Sequence, residues 1–78
     1  MIIKMKTCNE ILRDLREDHD KTQVEIAQIL NITRPQYHLY ESGKRQFKLH
    51  HIHALCLYYG VSADYVLGLP NGLEYPNK

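Results

Sequence analysis

The chain has 78 residues, room for one small domain that buries only about 60% of its unfolded surface, so a catalytic cleft with a cofactor fold beside it is excluded. Its 44% apolar and 24% charged residues match a folded globular domain and exclude a disordered tail, and no apolar run reaches the roughly 18 residues of a membrane span. The net charge of +1 excludes a protein that coats polyanions in bulk. The charge is unevenly placed, however. Residues 33–53 carry Arg34, Lys44, Arg45 and Lys48, with His38, His50, His51 and His53, against the single acid Glu41, and the segments on either side are each net acidic. A basic patch on a neutral chain suits a docked anion.

The first five residues, Met1 to Met5, are an arm with at most strand character, and residues 1–7 precede the domain. Cys8, Ile11, Leu12 and Leu15 recur at the three- and four-residue spacing of one helix face, predicting a helix over 9–18 that stops at Asp18-His19-Asp20. Thr22-Gln23-Val24-Glu25 is a capping box, in which the Thr hydroxyl and the Glu carboxylate each satisfy one backbone amide, and it opens a helix over 23–30. Asn31 tolerates the left-handed backbone that ends helices. A second box, Thr33-Arg34-Pro35-Gln36, opens a helix over 34–41 with its proline in the first turn, where a missing amide hydrogen costs little. Ser42-Gly43 stops it. Leu49, Ile52, Leu55, Cys56 and Tyr59 give a fourth helix over 49–59, and Ser62 caps a fifth over 63–67. Residues 70–78 read as an extended tail. The expected fold is therefore all-α, with five short helices in a single domain over 8–69. Its expected core is Leu12, Leu15, Ile26, Ala27, Leu30, Ile32, Tyr37, Leu49, Ile52, Leu55, Cys56, Val61 and Leu67.

Two capped helices joined by Asn31-Ile32-Thr33 cannot run antiparallel. They cross steeply and leave the second free to enter a major groove. The pattern Thr22-Gln23-x-x-Ile26-Ala27-x-x-Leu30-Asn31-Ile32-Thr33-Arg34-Pro35-x-Tyr37-x-x-Tyr40-Glu41-Ser42-Gly43-Lys44-Arg45 resembles the lambda-repressor/Cro-type helix-turn-helix, or xenobiotic-response-element, family. The later stretch from Leu49 to Gly68 matches that family's fourth and fifth helices, so the resemblance covers about residues 9–69. It implies a sequence-specific DNA-binding transcriptional regulator of bacterial or phage type, expected to repress and to bind a two-fold operator as a homodimer.

Base contacts are expected from Arg34, Gln36 and His38 on the exposed start of the third helix, since Arg can pair with guanine O6/N7 and Gln with adenine N6/N7. Phosphate contacts are expected from Gln23, Arg16, Thr33, Tyr40, Ser42, Lys44 and Arg45. Pro35, His38 and Leu39 depart from the commoner residues, so the operator does not follow from a relative. The resemblance also implies a structural pair, Arg16 with Glu41, joining the first helix to the end of the third. Two independent surface charges would be the plain alternative.

His50, His51, His53 and Cys56 have no four-ligand zinc spacing, so no metal or other cofactor is expected. No nucleophile–base set or phosphate-cradling glycine loop points to an enzyme. Cys8 and Cys56 read as free thiols in a reducing cytoplasm, and the Lys-broken N-terminus is no signal peptide. Residues 54–77 lack Lys and Arg but hold Tyr58, Tyr65, Val66 and Leu69. These are the expected dimer contacts, as the fifth helix is in the lambda repressor, with the Met1–Met5 arm as a second candidate. Two rival readings remain. One is an antitoxin that neutralises a partner toxin and represses its own operon; the other is a DNA-binding fragment of a longer regulator. In either reading, and in the leading one, a partner protein such as a toxin or an anti-repressor is compatible with the chain.

Overall fold

A computed structural model describes residues 6–69, and the expectations for Met1–Met5 and the tail from Pro70 lie outside that range. Five helices follow in order: α1 (Cys8–Asp18), α2 (Gln23–Ile29), α3 (Arg34–Glu41), α4 (Leu49–Tyr59) and α5 (Ala63–Leu67). No strand occurs among the described residues.

Local chemistry sets the boundaries. Thr22 Oγ1 accepts from the Glu25 amide at 3.1 Å, and Glu25 Oε1 accepts from the Thr22 amide at 3.0 Å. Thr33 and Gln36 exchange the same pair at 3.3 and 2.9 Å. A third box begins α1 one residue earlier than its apolar periodicity suggests, because Thr7 and Glu10 close it at 3.2 and 2.9 Å. α2 ends at Ile29, one residue short of expectation, with Leu30 as its cap and Asn31 in the left-handed region at φ 58°. Gly43, at φ 84°, lets the chain leave α3 in a conformation that a side chain would strain.

α2 and α3 pack on each other, α1 packs on both α3 and α5, and α4 packs on α5. Leu12, Ile26, Tyr37, Leu55 and Val66 are fully enclosed at the centre. Leu30, Ile32 and Val61, expected in the core, are half-buried at its margin. Two expected core residues are not there at all: Leu49 is 84% exposed and Leu67 48%. Leu49 is the first residue of α4, and the helix buries His51, Ile52, Leu55, Cys56 and Tyr59 instead. The apolar side chain delivered ahead of α4 is Phe47, which stacks on Tyr40 with ring centroids 5.3 Å apart and tilts against Tyr37 at 6.1 Å. Leu67 closes the one-turn α5, whose buried position is taken by Val66.

Candidate nucleic-acid interface

α3 presents its first turn outward. Arg34, Pro35, Gln36 and His38 are exposed, whereas Tyr37, Tyr40 and Glu41 are buried. The N-terminal residues of this helix are therefore displayed while its opposite face anchors it in the core. Gln36 Oε1 is engaged by the Thr33 amide in the capping box. A bidentate adenine contact needs both side-chain amide atoms, and Oε1 has a second lone pair with which to make it beside the Thr33 amide.

Beyond α3, Ser42, Lys44 and Arg45 are all exposed. The Ser42 hydroxyl donates to Leu39 O at 3.1 Å, and the Arg45 amide donates to the same carbonyl at 3.1 Å. Asn9, buried on α1, donates through Nδ2 to Tyr40 O and, at 3.2 Å, to Arg45 O. The loop that carries the two cations is thus held to the domain by its own carbonyls. Periodicity gave no hint of this clamp. The only signal was an asparagine on the apolar side of α1, three residues before Leu12.

Arg16 and Glu41 meet across α1 and α3. Arg16 Nε donates to Glu41 Oε2 and Nη2 to Oε1, each at 2.8 Å, and Nη1 donates to Lys21 O at 2.8 Å. The side chains are 14% and 3% exposed, so this is a buried two-pronged pair and not two independent surface charges. Burial alone would raise the Glu41 carboxyl, but hydrogen bonds led by Arg16, with its charge, outweigh burial and hold the group below the usual carboxylate range. Burial and then the neighbouring carboxylate push the Tyr37 phenol well above its ordinary value.

The network also bears on charge. Glu41 is the only acid in residues 33–53, and it is turned inward against Arg16. No ion pair within 4.0 Å takes up Arg34, Lys44, Arg45 or Lys48 among the described residues, so the outward face keeps its positive charge.

Three expected contact residues are placed differently from their sequence reading. Tyr40 is 8% exposed and packs on Phe47 and His51, which makes its ring part of the core. Arg16 spends all three guanidinium nitrogens inside the domain. Gln23 turns its side-chain amide inward: Nε2 donates to Glu41 Oε1 at 3.1 Å and lies 3.5 Å from His38 Nδ1. On the far side, Tyr58, Tyr65 and Leu69 are 40%, 58% and 44% exposed, but Val66 is 0% exposed. Val66 therefore belongs to the domain's own core and cannot be a contact residue between copies. Leu57, 71% exposed, lies beside Tyr58 and was not anticipated.

Among the described residues, no three His, Cys, Asp or Glu side chains converge as metal ligands. His51 is buried, with Nδ1 3.4 Å from the Lys48 amide. Burial, His50 and Lys48 lower its pKa below the ordinary histidine value. No described helix is long and apolar enough to cross a membrane.

A helix-turn-helix family model matches residues 12–66. The chain is 36% identical over 58 residues to an uncharacterized HTH-type transcriptional regulator, YobD, of Bacillus subtilis (strain 168), covering 74% of this chain and 52% of that protein. It therefore spans about half the length of this curated relative. Three solved structures share the fold. A transcriptional regulator from Listeria innocua superposes with a TM-score of 0.77 at 23% identity, over 90% of this chain and 65% of the other. The P22 c2 repressor, solved in complex with a synthetic operator, gives 0.72 at 17% identity over 81% and 96%. The clp gene regulator ClgR from C. glutamicum gives 0.67 at 22% over 81% and 87%.

Proposed function

Since the chain belongs to the lambda-repressor/Cro-type helix-turn-helix family, we propose that it binds double-stranded DNA sequence-specifically through α3 and represses transcription from the sites it occupies. The observation that carries this reading is the arrangement of charge around α3. Arg34, Gln36 and His38 face outward from a capped helix, Lys44 and Arg45 flank it without acidic partners among the described residues, and the one local acid is neutralised by Arg16 inside the domain. Arg34, Gln36 and His38 are assigned to base edges. Thr33, Ser42, Lys44 and Arg45 are assigned to phosphates. Gln23 and Arg16 are positioning residues, and Tyr40 is a packing residue.

A single recognition helix reads few base pairs, so the protein is proposed to act as a homodimer on half-sites about 34–36 Å apart. The exposed Tyr58, Tyr65 and Leu69 lie on a segment without Lys or Arg and form the proposed contact, tyrosine combining apolar area with a polar tip.

Selection of bound sites from random DNA tests the reading. A two-fold motif should be enriched, and Arg34→Ala should lose about 1–3 kcal/mol on that motif with little change on random DNA. Equal affinity of wild type and Arg34→Ala for the motif would remove Arg34 from the base contacts, and a selection that enriched no motif would overturn the reading.

A further inference from the structure

Three polar side chains lie in series across the seam between α2 and α3: Glu41, Gln23 and His38. The Glu41 carboxylate is fixed by two hydrogen bonds from Arg16. Gln23 Nε2 stands between Glu41 Oε1 at 3.1 Å and His38 Nδ1 at 3.5 Å. Its other terminal atom, Oε1, is buried with no hydrogen-bond partner among the described residues.

The Gln23 amide has two orientations, and their costs differ. In the one observed, Nε2 donates to Glu41 and points its other hydrogen toward His38 Nδ1 at 3.5 Å, and one buried oxygen is left over. Reversed, Oε1 would face a carboxylate oxygen at the same short distance, and both amide hydrogens would be stranded where the oxygen now sits. The first leaves one acceptor unmet. The second leaves two donors unmet and adds a repulsion from an ionised group, so the observed orientation prevails. With the amide so held, His38 Nδ1 must offer a lone pair. A neutral imidazole then carries its single proton on Nε2, the atom on the other side of an exposed ring.

We infer that His38 is an obligate N–H donor on the recognition surface, its tautomer set by the Glu41–Gln23 relay, and that it reads a base acceptor: N7 or O6 of guanine, N7 of adenine or O4 of thymine. Cytosine presents only its amine in the major groove, so it is the base this donor cannot read. An unlatched neutral histidine presents either a donor or an acceptor. This one has its acceptor nitrogen turned inward, so the exocyclic amines of adenine and cytosine are refused at its position. The inference rests on the DNA-binding reading above, and Gln23 acts in it as a positioning residue.

The test uses the full chain and the operator returned by selection. Each purine of a half-site is replaced in turn by its 7-deaza analogue, which removes N7, and each thymine by 4-thiothymine, which weakens the acceptor at position 4, and binding is measured for wild type and His38→Ala. At one position the replacement should weaken wild type roughly three- to tenfold and leave His38→Ala unaffected. Gln23→Ala should shrink that coupling. Nitrogen-15 spectra of the free protein should show His38 protonated on Nε2 with Nδ1 hydrogen-bonded, and Gln23→Ala should move the Nδ1 resonance. Coupling of His38 to an adenine or cytosine amine, coupling to no base, or an Nδ1–H tautomer would each overturn the inference while DNA binding stood. A selection that enriched no site would overturn the DNA reading and the base-acceptor assignment together, and the nitrogen spectra would still show whether the relay itself exists.

Discussion

Replacing Arg16 by alanine isolates the energetics of the buried pair. The substitution removes both guanidinium hydrogen bonds to Glu41 and leaves a carboxylate, 3% exposed, with the Gln23 amide as its one remaining donor at good geometry. Breaking a buried pair from one side costs about 3–5 kcal/mol, because the surviving charge stays desolvated. A small domain has total stability near the lower end of about 5–15 kcal/mol, so much of it would be lost. At about 4–8 °C per kcal/mol for a domain of this size, the melting temperature should fall by at least about 12 °C. Urea unfolding at neutral pH measures the change, and Arg16→Met with Glu41→Leu supplies the control, since two apolar residues of similar volume strand no charge. The double variant should recover a large part of the loss. Acid titration gives an independent check. Glu41 has a folded pKa below its ordinary 4.5, so its contribution is complete above that value and is lost as pH falls through the folded pKa. Arg16→Ala should flatten this acid limb. A loss under about 1 kcal/mol, the size expected of an exposed pair, would refute the buried-network account.

His51 is buried with a pKa held below 6.5. Stability should be complete above that pH and fall as the pH drops toward the folded value, and His51→Phe should remove this slope in urea titrations between about pH 5 and 7. Val66→Asp should unfold the domain, whereas Leu69→Asp should leave the melting curve intact and shift sedimentation toward monomer. A folded Val66→Asp, or a dimeric Leu69→Asp, contradicts the respective assignment. DNA affinity should fall with salt at a log–log slope of about −0.9 per neutralised phosphate, and Lys44→Ala should reduce the slope by about one phosphate while weakening all sequences alike. An unchanged slope would remove Lys44 from the backbone contacts.

Helix number and order were legible because punctuation and periodicity agree in this chain. Thr22, Thr33 and Ser62 begin helices and Asn31, Gly43 and Gly60 end them, and between these marks the apolar spacing is helical. Arg34, Gln36 and His38 could be read as outward-facing once Tyr37 was assigned to the core. Positions at element ends were not legible, because periodicity has no neighbours there on one side: Leu49 and Leu67 fit the stripe yet lie exposed, while Phe47, in a loop, fills the core. Val66 was misread because a one-turn helix offers a single buried position, and several apolar residues compete for it. Polar direction was the least readable property. Gln23 suits a phosphate by residue type, and only the buried Glu41 behind it turns its amide inward.

The Asn9 clamp gives the loop after α3 a fixed length. Loops on protein surfaces ordinarily tolerate inserted and deleted residues. Here one side-chain amide spans the carbonyl of Tyr40, inside α3, and that of Arg45, beyond the glycine turn. One added or missing residue between them moves one carbonyl out of reach and strands the buried Nδ2 donor. The segment facing the proposed DNA surface can thus vary in residue type but not in residue count.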